Sequence, residues 1–208
     1  QALDAFLKEH PVPVFNHPLG VLKSRRDYVW SQLQGIPHLV TPKCVRFLAN
    51  SPNAFLRAFD RAGFSFPVLL RPIASHSGTD LIRIDSKDDW PKIFSIPWGG
   101  REMFMTQWVD FRSENGEWRT LRLCLTPEKV FLRRALFSDT WLIHIAERTE
   151  SDVDRELDLI EKAEDWPALL AVGAAIRERL GLQYCGVDLG YRSDTEFVLF
   201  EANPSMNI

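Results

Sequence analysis

The sequence has few cysteines, and their spacing fits neither a metal cluster nor a disulfide framework. Three occur among 208 residues, at Cys44, Cys124 and Cys185. An odd number of cysteines without a Cys-x-x-Cys pair argues against both a zinc site and a set of structural disulfides. Because free thiols persist in reducing compartments, we expect the protein to be cytoplasmic.

The sequence also lacks a block of one charge and a long apolar run. Its formal net charge is −3, from 25 basic and 28 acidic residues, which argues against general binding to nucleic acid or to an anionic membrane. The longest apolar runs, such as residues 66–70, are far shorter than the about 20 residues of a membrane helix. The chain begins Gln-Ala-Leu-Asp, without an initiator Met or a signal-peptide pattern, so we expect it to belong to a longer protein.

What remains is an ordinary globular composition, with 45% hydrophobic and 25% charged residues. Apolar spacing and capping residues predict helices at residues 2–9, 25–34, 51–62, 152–163 and 167–180, with a brief one beginning at residue 86. Apolar runs between turn residues predict strands at residues 66–72, 81–85, 103–110, 118–126, 129–136, 184–191 and 196–201. Helices and hairpins are segregated rather than alternating, which is typical of an α+β fold.

Two turn signals predict hairpins in the middle of the chain. Asn115-Gly116 predicts a hairpin between the strands at residues 103–110 and 118–126. Pro127-Glu128 predicts a second hairpin, between that later strand and the one at residues 129–136.

Two carboxylates and an amide stand at the end of the chain. Asp188 lies within the predicted strand 184–191, and Glu201 ends the strand 196–201, two residues before Asn203. If the strands pair as a hairpin, the three side chains can converge, because residues two apart share a strand face. Their oxygens suit Mg²⁺ or Mn²⁺ bridging phosphates. The alternative is that Asp188 caps a turn and Glu201 is exposed.

A second polar constellation lies upstream. The apolar strand 67–72 carries Arg71 near its end, and the small polar loop 75–80 follows. A glycine-containing loop can present backbone N–H groups and hydroxyls to phosphates, and a cation adds charge. The alternative is an ordinary hairpin connection in which His76 is a solvated loop residue.

Together these segments resemble the ATP-grasp superfamily, which includes glutathione synthetase and the ribosomal-protein glutamate ligases. The resemblance covers most of the chain, from about residue 16 to residue 207. In chain order it is carried by Asn16-His-Pro, Gly35-Ile-Pro-His-Leu-Val-Thr41, Pro67-Val-Leu-Leu-Arg-Pro72, Gln107-Trp-Val-Asp110, and Asp188 with Glu201-Ala-Asn203-Pro.

The resemblance implies two lobes, each with an antiparallel sheet and helices, and ATP in the cleft between them. It divides the chain into three parts. Residues 1–40 would be the remnant of a preceding domain with a linker helix, residues 41–110 the amino-terminal lobe, and residues 111–208 the carboxyl-terminal lobe.

The resemblance also implies which residues bind the nucleotide. Residues 75–79 would close over the triphosphate, the backbone of residues 107–109 would read the adenine edge, and Asp110 would reach the ribose. The complete implied set is Arg26, Arg71, Ser75, His76, Ser77, Gly78, Thr79, Gln107, Trp108, Val109 and Asp110.

Two of these positions depart from the family pattern. Arg71 stands where the family usually has a lysine, and a planar guanidinium contacts phosphate differently from an ammonium group. The family's first ATP-contacting lysine is missing from Ser24-Arg-Arg-Asp-Tyr28. Arg26 is assigned that role, with Arg25 as the second choice. The alternative for both is a solvated basic helix start.

The resemblance places catalysis on the strands after the linker. Arg122 and Arg133 would hold the γ-phosphate and an acyl phosphate, while Asp188, Glu201 and Asn203 would ligate two Mg²⁺ or Mn²⁺ ions. These roles imply a ligase that phosphorylates a carboxylate with MgATP and joins it to an amine or thiol. The carboxylate and the acceptor are not identified by the sequence.

Two other functions stay open at this point. A small-molecule kinase on the same fold would need a base, for which His144 and Asp139 are the candidates. A non-catalytic ATP-binding module of a larger protein would explain the arginines that replace lysines. The expected partners are ATP and its co-substrates, together with further domains of a longer chain or a second copy, and neither nucleic acid nor a membrane.

Overall fold

The computed structural model describes residues 2–73, 75, 78–96, 99–143 and 148–206. Its helices are α1 (Ala2–Glu9), α2 (Pro18–Lys23), α3 (Arg26–Gln32), α4 (Pro52–Ala62), α5 (Trp90–Phe94), α6 (Glu150–Ala163) and α7 (Pro167–Leu180). Its strands are β1 (Leu39–Val40), β2 (Cys44–Ala49), β3 (Val68–Pro72), β4 (Ile82–Ile84), β5 (Arg101–Gln107), β6 (Trp118–Leu125), β7 (Val130–Ser138), β8 (Cys185–Ser193) and β9 (Glu196–Asn203). This mixture of helices and mainly antiparallel strands confirms the α+β class.

The chain divides into two compact units. The larger unit comprises Gln1–Thr41 and Phe111–Ile208, and the smaller unit comprises Pro42–Asp110. Residues 1–41 therefore belong to the same unit as the carboxyl-terminal half of the chain. No helix in the described ranges has the length and apolar character needed to cross a bilayer.

The larger unit is built on a five-stranded sheet in the order β1-β9-β8-β6-β7. The short strand β1 runs parallel to β9, and the other neighbours are antiparallel. Helix α7 supplies the apolar face that covers the sheet, since its residues three and four apart are fully buried. These are Leu169, Val172, Ile176 and Leu180. The α3 segment contributes Val29 and Leu33 to the same core.

A glycine permits the close packing of α7 on β7. A Cβ atom added to Gly173 would lie 2.6 Å from a methyl carbon of Val130 and 3.2 Å from one of Leu125. We expect Gly173→Ala to lower the free energy of unfolding by about 1–3 kcal/mol through overpacking, even though alanine favours a helix by about 1 kcal/mol. Urea unfolding measures this. Ala171→Gly, at an exposed position of the same helix, is the control for propensity alone, and a more stable Gly173→Ala protein would contradict the prediction.

The smaller unit holds a four-stranded sheet in the order β2-β5-β3-β4, all of it antiparallel. Helix α4 has the predicted ends, because the Ser51 hydroxyl accepts a hydrogen bond from the Ala54 N–H at 3.2 Å and Gly63 follows with a positive φ of 64°. Its core side chains are fully buried. They include Phe55, Val68, Leu70, Ile84 and Met105.

The hairpin predicted at Asn115-Gly116 is wrong. Strand β5 pairs with β2 and β3 in the smaller unit, whereas β6 pairs with β7 and β8 in the larger one. The turn itself exists, with Gly116 at a φ of 86° and a single bridge between Arg112 and Trp118. Because the chain passes from one unit to the other between Asp110 and Phe111, this turn only introduces β6. The hairpin predicted at Pro127-Glu128 is confirmed by the pairing of β6 with β7.

Candidate active site

The terminal hairpin brings the two carboxylates together. Strands β8 and β9 pair antiparallel, and Asp188 lies directly opposite Glu201, with Gly186 opposite Asn203. The predicted pairing of these strands is therefore confirmed. Both carboxyl side chains are partly exposed, at 25% for Asp188 and 28% for Glu201, so they remain accessible to a ligand.

An arginine on the next strand grips the first carboxylate. Arg122 of β6 is the register partner of Asp188, and its Nε and Nη2 donate hydrogen bonds to the two Asp188 oxygens at 2.8 and 3.0 Å. Such a bidentate contact fixes the guanidinium and carboxylate groups relative to each other and is stronger than a hydrogen bond between neutral groups. The hydrogen bond to Asp188 raises the pKa of the Arg122 guanidinium. Arg122 is thus a permanent cation next to the carboxylate pair.

The second carboxylate is paired with an arginine from the amino-terminal segment. The Arg26 guanidinium donates hydrogen bonds to the Glu201 carboxylate and, at 2.9 Å, to the Phe200 carbonyl. Arg26 begins α3 and belongs to the same unit as Glu201. The solvated helix start considered for Arg26 is therefore wrong, because its side chain is only 23% exposed and is bonded to β9. Its implied contact with ATP stays a prediction.

The third predicted metal ligand is oriented differently from its carboxylate neighbours. The Asn203 Nδ2 donates to a Glu201 oxygen at 3.4 Å, while the Asn203 oxygen accepts from the Ser205 N–H at 2.9 Å. The role of Asn203 as a metal ligand stays a prediction. Within the described ranges no group of three His, Cys, Asp or Glu side chains could hold a metal. A magnesium ion held by two carboxylates and by phosphate oxygens would fit this donor set.

A β-bulge places two consecutive arginines on the same side of the sheet. Arg122 is paired with Arg134 and Leu123 with Leu132, so Arg133 is the extra residue of β7. Leu132 and Ala135, which flank the arginine pair, are buried in the core beneath the helices. Arg133 is therefore exposed and Arg134 half-buried on the other face of the sheet. Arg133 was predicted as a site residue, whereas Arg134 was missed. The adjacent arginine pair is visible in the sequence. The bulge that places both side chains on the same face of the sheet is not.

Arg134 is influenced by the charges of three other arginines and of Asp188. Burial lowers the pKa of its guanidinium, and the charges of Arg122, Arg133 and Arg148 lower it further. A concentration of arginines beside two carboxylates can hold an anion that carries several charges, such as a phosphoryl group. We call these four residues, Arg122, Arg133, Arg134 and Arg148, the arginine cluster.

In the smaller unit, Arg71 contacts its own loop. Its Nε donates to the Ser75 hydroxyl at 3.3 Å, and its Nη2 donates to the Ser75 carbonyl. Gly78 has a positive φ of 74° and, with Thr79, lies in the turn before β4. The predicted loop residues His76 and Ser77 lie outside the described residues, as does His144, the base considered for a kinase. The other such base, Asp139, is exposed.

The predicted adenine linker is bonded within the smaller unit. The Gln107 side chain donates to the carbonyls of Ser65 and Pro67 at 2.8 and 3.0 Å, and the Trp108 N–H donates to the Pro67 carbonyl at 3.2 Å. The Arg83 guanidinium lies 4.2 Å from the centre of a Trp108 ring. These contacts give Gln107 and Trp108 a structural role. The ligand roles of the linker residues Gln107, Trp108, Val109 and Asp110 stay predictions.

No model of a known protein family matches the chain. Among curated proteins, it is 25% identical over 191 residues to the tetrahydromethanopterin:alpha-L-glutamate ligase of Methanococcus maripaludis. That match covers 89% of this chain and 59% of the relative. The chain therefore spans about three-fifths of the length of this curated relative.

Solved structures resemble the chain over nearly its whole length. The ATP-grasp ligase PsnB, in complex with a minimal precursor, Mg and ADP, gives a TM-score of 0.53 at 15% identity, over 99% of this chain and 58% of PsnB. The carboxyaminoimidazole ribonucleotide synthase of Aspergillus clavatus, with ATP, gives 0.58 at 15% identity, over 98% and 51%. The chain has the ATP-grasp fold. The VanG D-Ala:D-Ser ligase of Enterococcus faecalis agrees, at 0.52 and 17% identity over 97% and 59%.

The ATP-grasp fold gives the carboxylate pair its context. The two sheets of this chain correspond to the mainly antiparallel sheets expected from the resemblance, and the carboxylates lie on the terminal hairpin of the larger one. At these low identities the likeness shows the fold. The chemistry has to be argued from the side chains.

Proposed function

We propose that this chain is the ATP-binding part of a ligase that activates a carboxylate as an acyl phosphate and joins it to an amine or thiol. The observation that carries the proposal is the opposed pair Asp188 and Glu201 beside Arg122, on three adjacent strands of an ATP-grasp fold. Carboxylates that hold a divalent ion beside cations that hold phosphate are the elements required for phosphoryl transfer.

The chemistry asked of the protein is mainly electrostatic. Phosphoryl transfer needs in-line positioning and neutralisation of the charge that develops on the phosphoryl oxygens. The arginine cluster supplies fixed cations, and Asp188 and Glu201 would hold one or two Mg²⁺ or Mn²⁺ ions, with Asn203 as a further ligand. A bound ion would neutralise and orient phosphate oxygens. We assign a further nucleotide contact to Arg26, which belongs to the same unit as the carboxylate pair.

The relatives support the direction of this proposal. The curated relative is named as a glutamate ligase, and the VanG protein is named as a D-Ala:D-Ser ligase. The PsnB structure contains Mg and ADP, and the ribonucleotide synthase structure contains ATP. We extend the use of Mg²⁺ and ATP, and the joining of a carboxylate to an amine, to this chain. The described cysteines are free, and we place the protein in the cytoplasm on that ground.

Hydroxylamine trapping tests the reaction without knowledge of the acceptor. Hydroxylamine replaces the amine and converts an acyl phosphate into a hydroxamate. With MgATP and a panel of carboxylates that includes L-glutamate, we expect ADP release and hydroxamate in equal amounts for at least one acid. A kinase would release ADP and leave a stable phosphorylated product without hydroxamate. A chain that binds MgATP in calorimetry but releases no ADP with any acid would contradict the proposed reaction.

A further inference from the structure

Helix α6 contains a buried charge that the proposed reaction does not use directly. Glu156 is 6% exposed, and it is the one charged side chain classed as buried among the described residues. Burying a carboxylate is costly unless it is paired and hydrogen-bonded. Both carboxylate oxygens of Glu156 accept hydrogen bonds. The two donors therefore indicate the role of this buried charge.

One oxygen of Glu156 is bonded to the strand that carries the bulge. The Ala135 N–H donates to Glu156 Oε1 at 3.0 Å, directly after the consecutive arginines Arg133 and Arg134. Among the described strands, β7 stands last in the sheet order, next to β6. The Glu156 carboxylate thus binds a backbone N–H of β7 at the point where the bulge ends.

The other oxygen of Glu156 pairs with Arg148. The Arg148 guanidinium donates to Glu156 Oε2, and Arg148 stands just before the α6 cap at Thr149. The buried Nε of Arg148 has no hydrogen-bond partner among the described residues. One carboxylate therefore joins two parts of the arginine cluster, namely the bulge with Arg133 and Arg134, and Arg148 itself.

Stability alone does not explain this arrangement well. A buried ion pair is weak evidence for stability, because apolar side chains of similar size often stabilise a fold equally or better. What an apolar pair could not do is hold the bulged strand through a hydrogen bond while it orients a cation. The contacts of Glu156 have this second property.

We propose that Glu156 is a positioning residue, whose carboxylate fixes the Arg133–Arg134 bulge and Arg148 so that the arginine cluster can hold the terminal phosphoryl group of the nucleotide. The inference rests on the proposed function, since it names how one part of that phosphate site is held. Glu156 itself does not contact the nucleotide. It acts through the position of the arginines.

Glu156→Gln is the sharpest substitution. The glutamine oxygen can still accept from the Ala135 N–H, but its amide nitrogen faces the Arg148 guanidinium and cannot pair with it. A hydrogen bond to a charged group is worth about a tenfold to hundredfold change in an equilibrium constant, so we expect affinity for Mg·AMPPNP to fall by about that factor. Affinity for Mg·ADP should stay unchanged, since ADP lacks the terminal phosphoryl group. Calorimetry with each nucleotide measures the two affinities and so the AMPPNP-to-ADP affinity ratio.

The controls separate positioning from folding. Glu161→Gln, at an exposed position on the same helix, should change neither affinity. Arg148→Met should likewise lower the affinity for Mg·AMPPNP and leave that for Mg·ADP unchanged. If the pair acts as a unit, the Glu156→Gln, Arg148→Met double variant should lose no more AMPPNP affinity than either single variant. If Glu156→Gln alone does not fold, Glu156→Asp carries the test, because it keeps the charge but is one methylene too short to hold both the Ala135 N–H and Arg148.

The possible outcomes distinguish the two proposals. If the wild-type chain binds neither nucleotide, the proposed function fails. If it binds both and Glu156→Gln leaves the AMPPNP-to-ADP ratio unchanged, or weakens both nucleotides equally, the positioning role is overturned while ATP binding stands. A fall in the ratio for Glu156→Gln and Arg148→Met, but not for Glu161→Gln, supports it.

Discussion

Replacing Glu201 with Gln, or Asp188 with Asn, is expected to lower ATP turnover by about a thousandfold. The reason is that a metal ion contributes several kcal/mol of charge stabilisation to phosphoryl transfer, and each 1.4 kcal/mol is about a factor of ten in rate. Either amide keeps the shape of the side chain but removes the negative charge that holds the ion. Steady-state release of ADP measures turnover, and Mn²⁺ titration followed by electron paramagnetic resonance measures the loss of metal binding directly.

A matched control lies on the same strand as Glu201. Glu196 also belongs to β9, but it is 40% exposed and pairs with Arg192 on the surface. Glu196→Gln should therefore retain full turnover and full Mn²⁺ binding. Circular dichroism should show a native fold for all three variants, because Asp188 and Glu201 are both partly exposed. Wild-type turnover in a folded Glu201→Gln or Asp188→Asn protein would remove the metal assignment.

The elements that the sequence predicts well are those specified locally. Helix α4 is capped by the Ser51 hydroxyl and ends at Gly63, and both residues lie next to the apolar residues that predict the helix. The β8–β9 hairpin is similar, because two apolar strands are separated by a short polar turn. In both cases the signal and the structure lie within the same short stretch of chain, so pattern reading suffices.

The wrong hairpin at Asn115-Gly116 shows what local sequence signals do not determine. The turn residues correctly predict a turn, but the strands on its two sides belong to different sheets. Which sheet a strand joins depends on partners far along the chain. Strand β5 pairs with β2 from Cys44 onwards, and β6 pairs with β8 near Asp188. No short-range signal carries that information.

The candidate site divides in the same way. Asp188 and Glu201 were predicted from their residue types, from the expected pairing of the last two strands and from the resemblance to the ATP-grasp superfamily. The partner of Glu201, Arg26, is 175 positions away, and the role of Arg134 depends on a bulge that follows from the packing of β7 against β6 and α6. Glu156 carried no sequence signal at all, since a glutamate in a charged helix normally faces solvent.

Arg122→Met is expected to reduce turnover by about a hundredfold to a thousandfold, the usual cost of removing one fixed donor from a developing anion. Arg122 makes two bonds to Asp188, so the loss could arise from a misplaced metal ligand or from a missing phosphate contact. Mn²⁺ affinity separates these. Without Arg122, the Asp188 carboxylate loses a competing cation, and metal binding should be retained or strengthened while ADP release falls.

Two further variants decide how Arg122 acts. Arg122→Lys keeps the charge but loses the two-pronged geometry, so it should restore part of the turnover if charge at the phosphate is the main effect. Arg192→Met removes a surface arginine of β8 that pairs with Glu196, and it should change nothing. If Arg122→Met weakens Mn²⁺ binding as much as turnover, Arg122 serves chiefly to orient Asp188. The phosphate contact would then fall to Arg133 and Arg134, whose bulge places them on the same face.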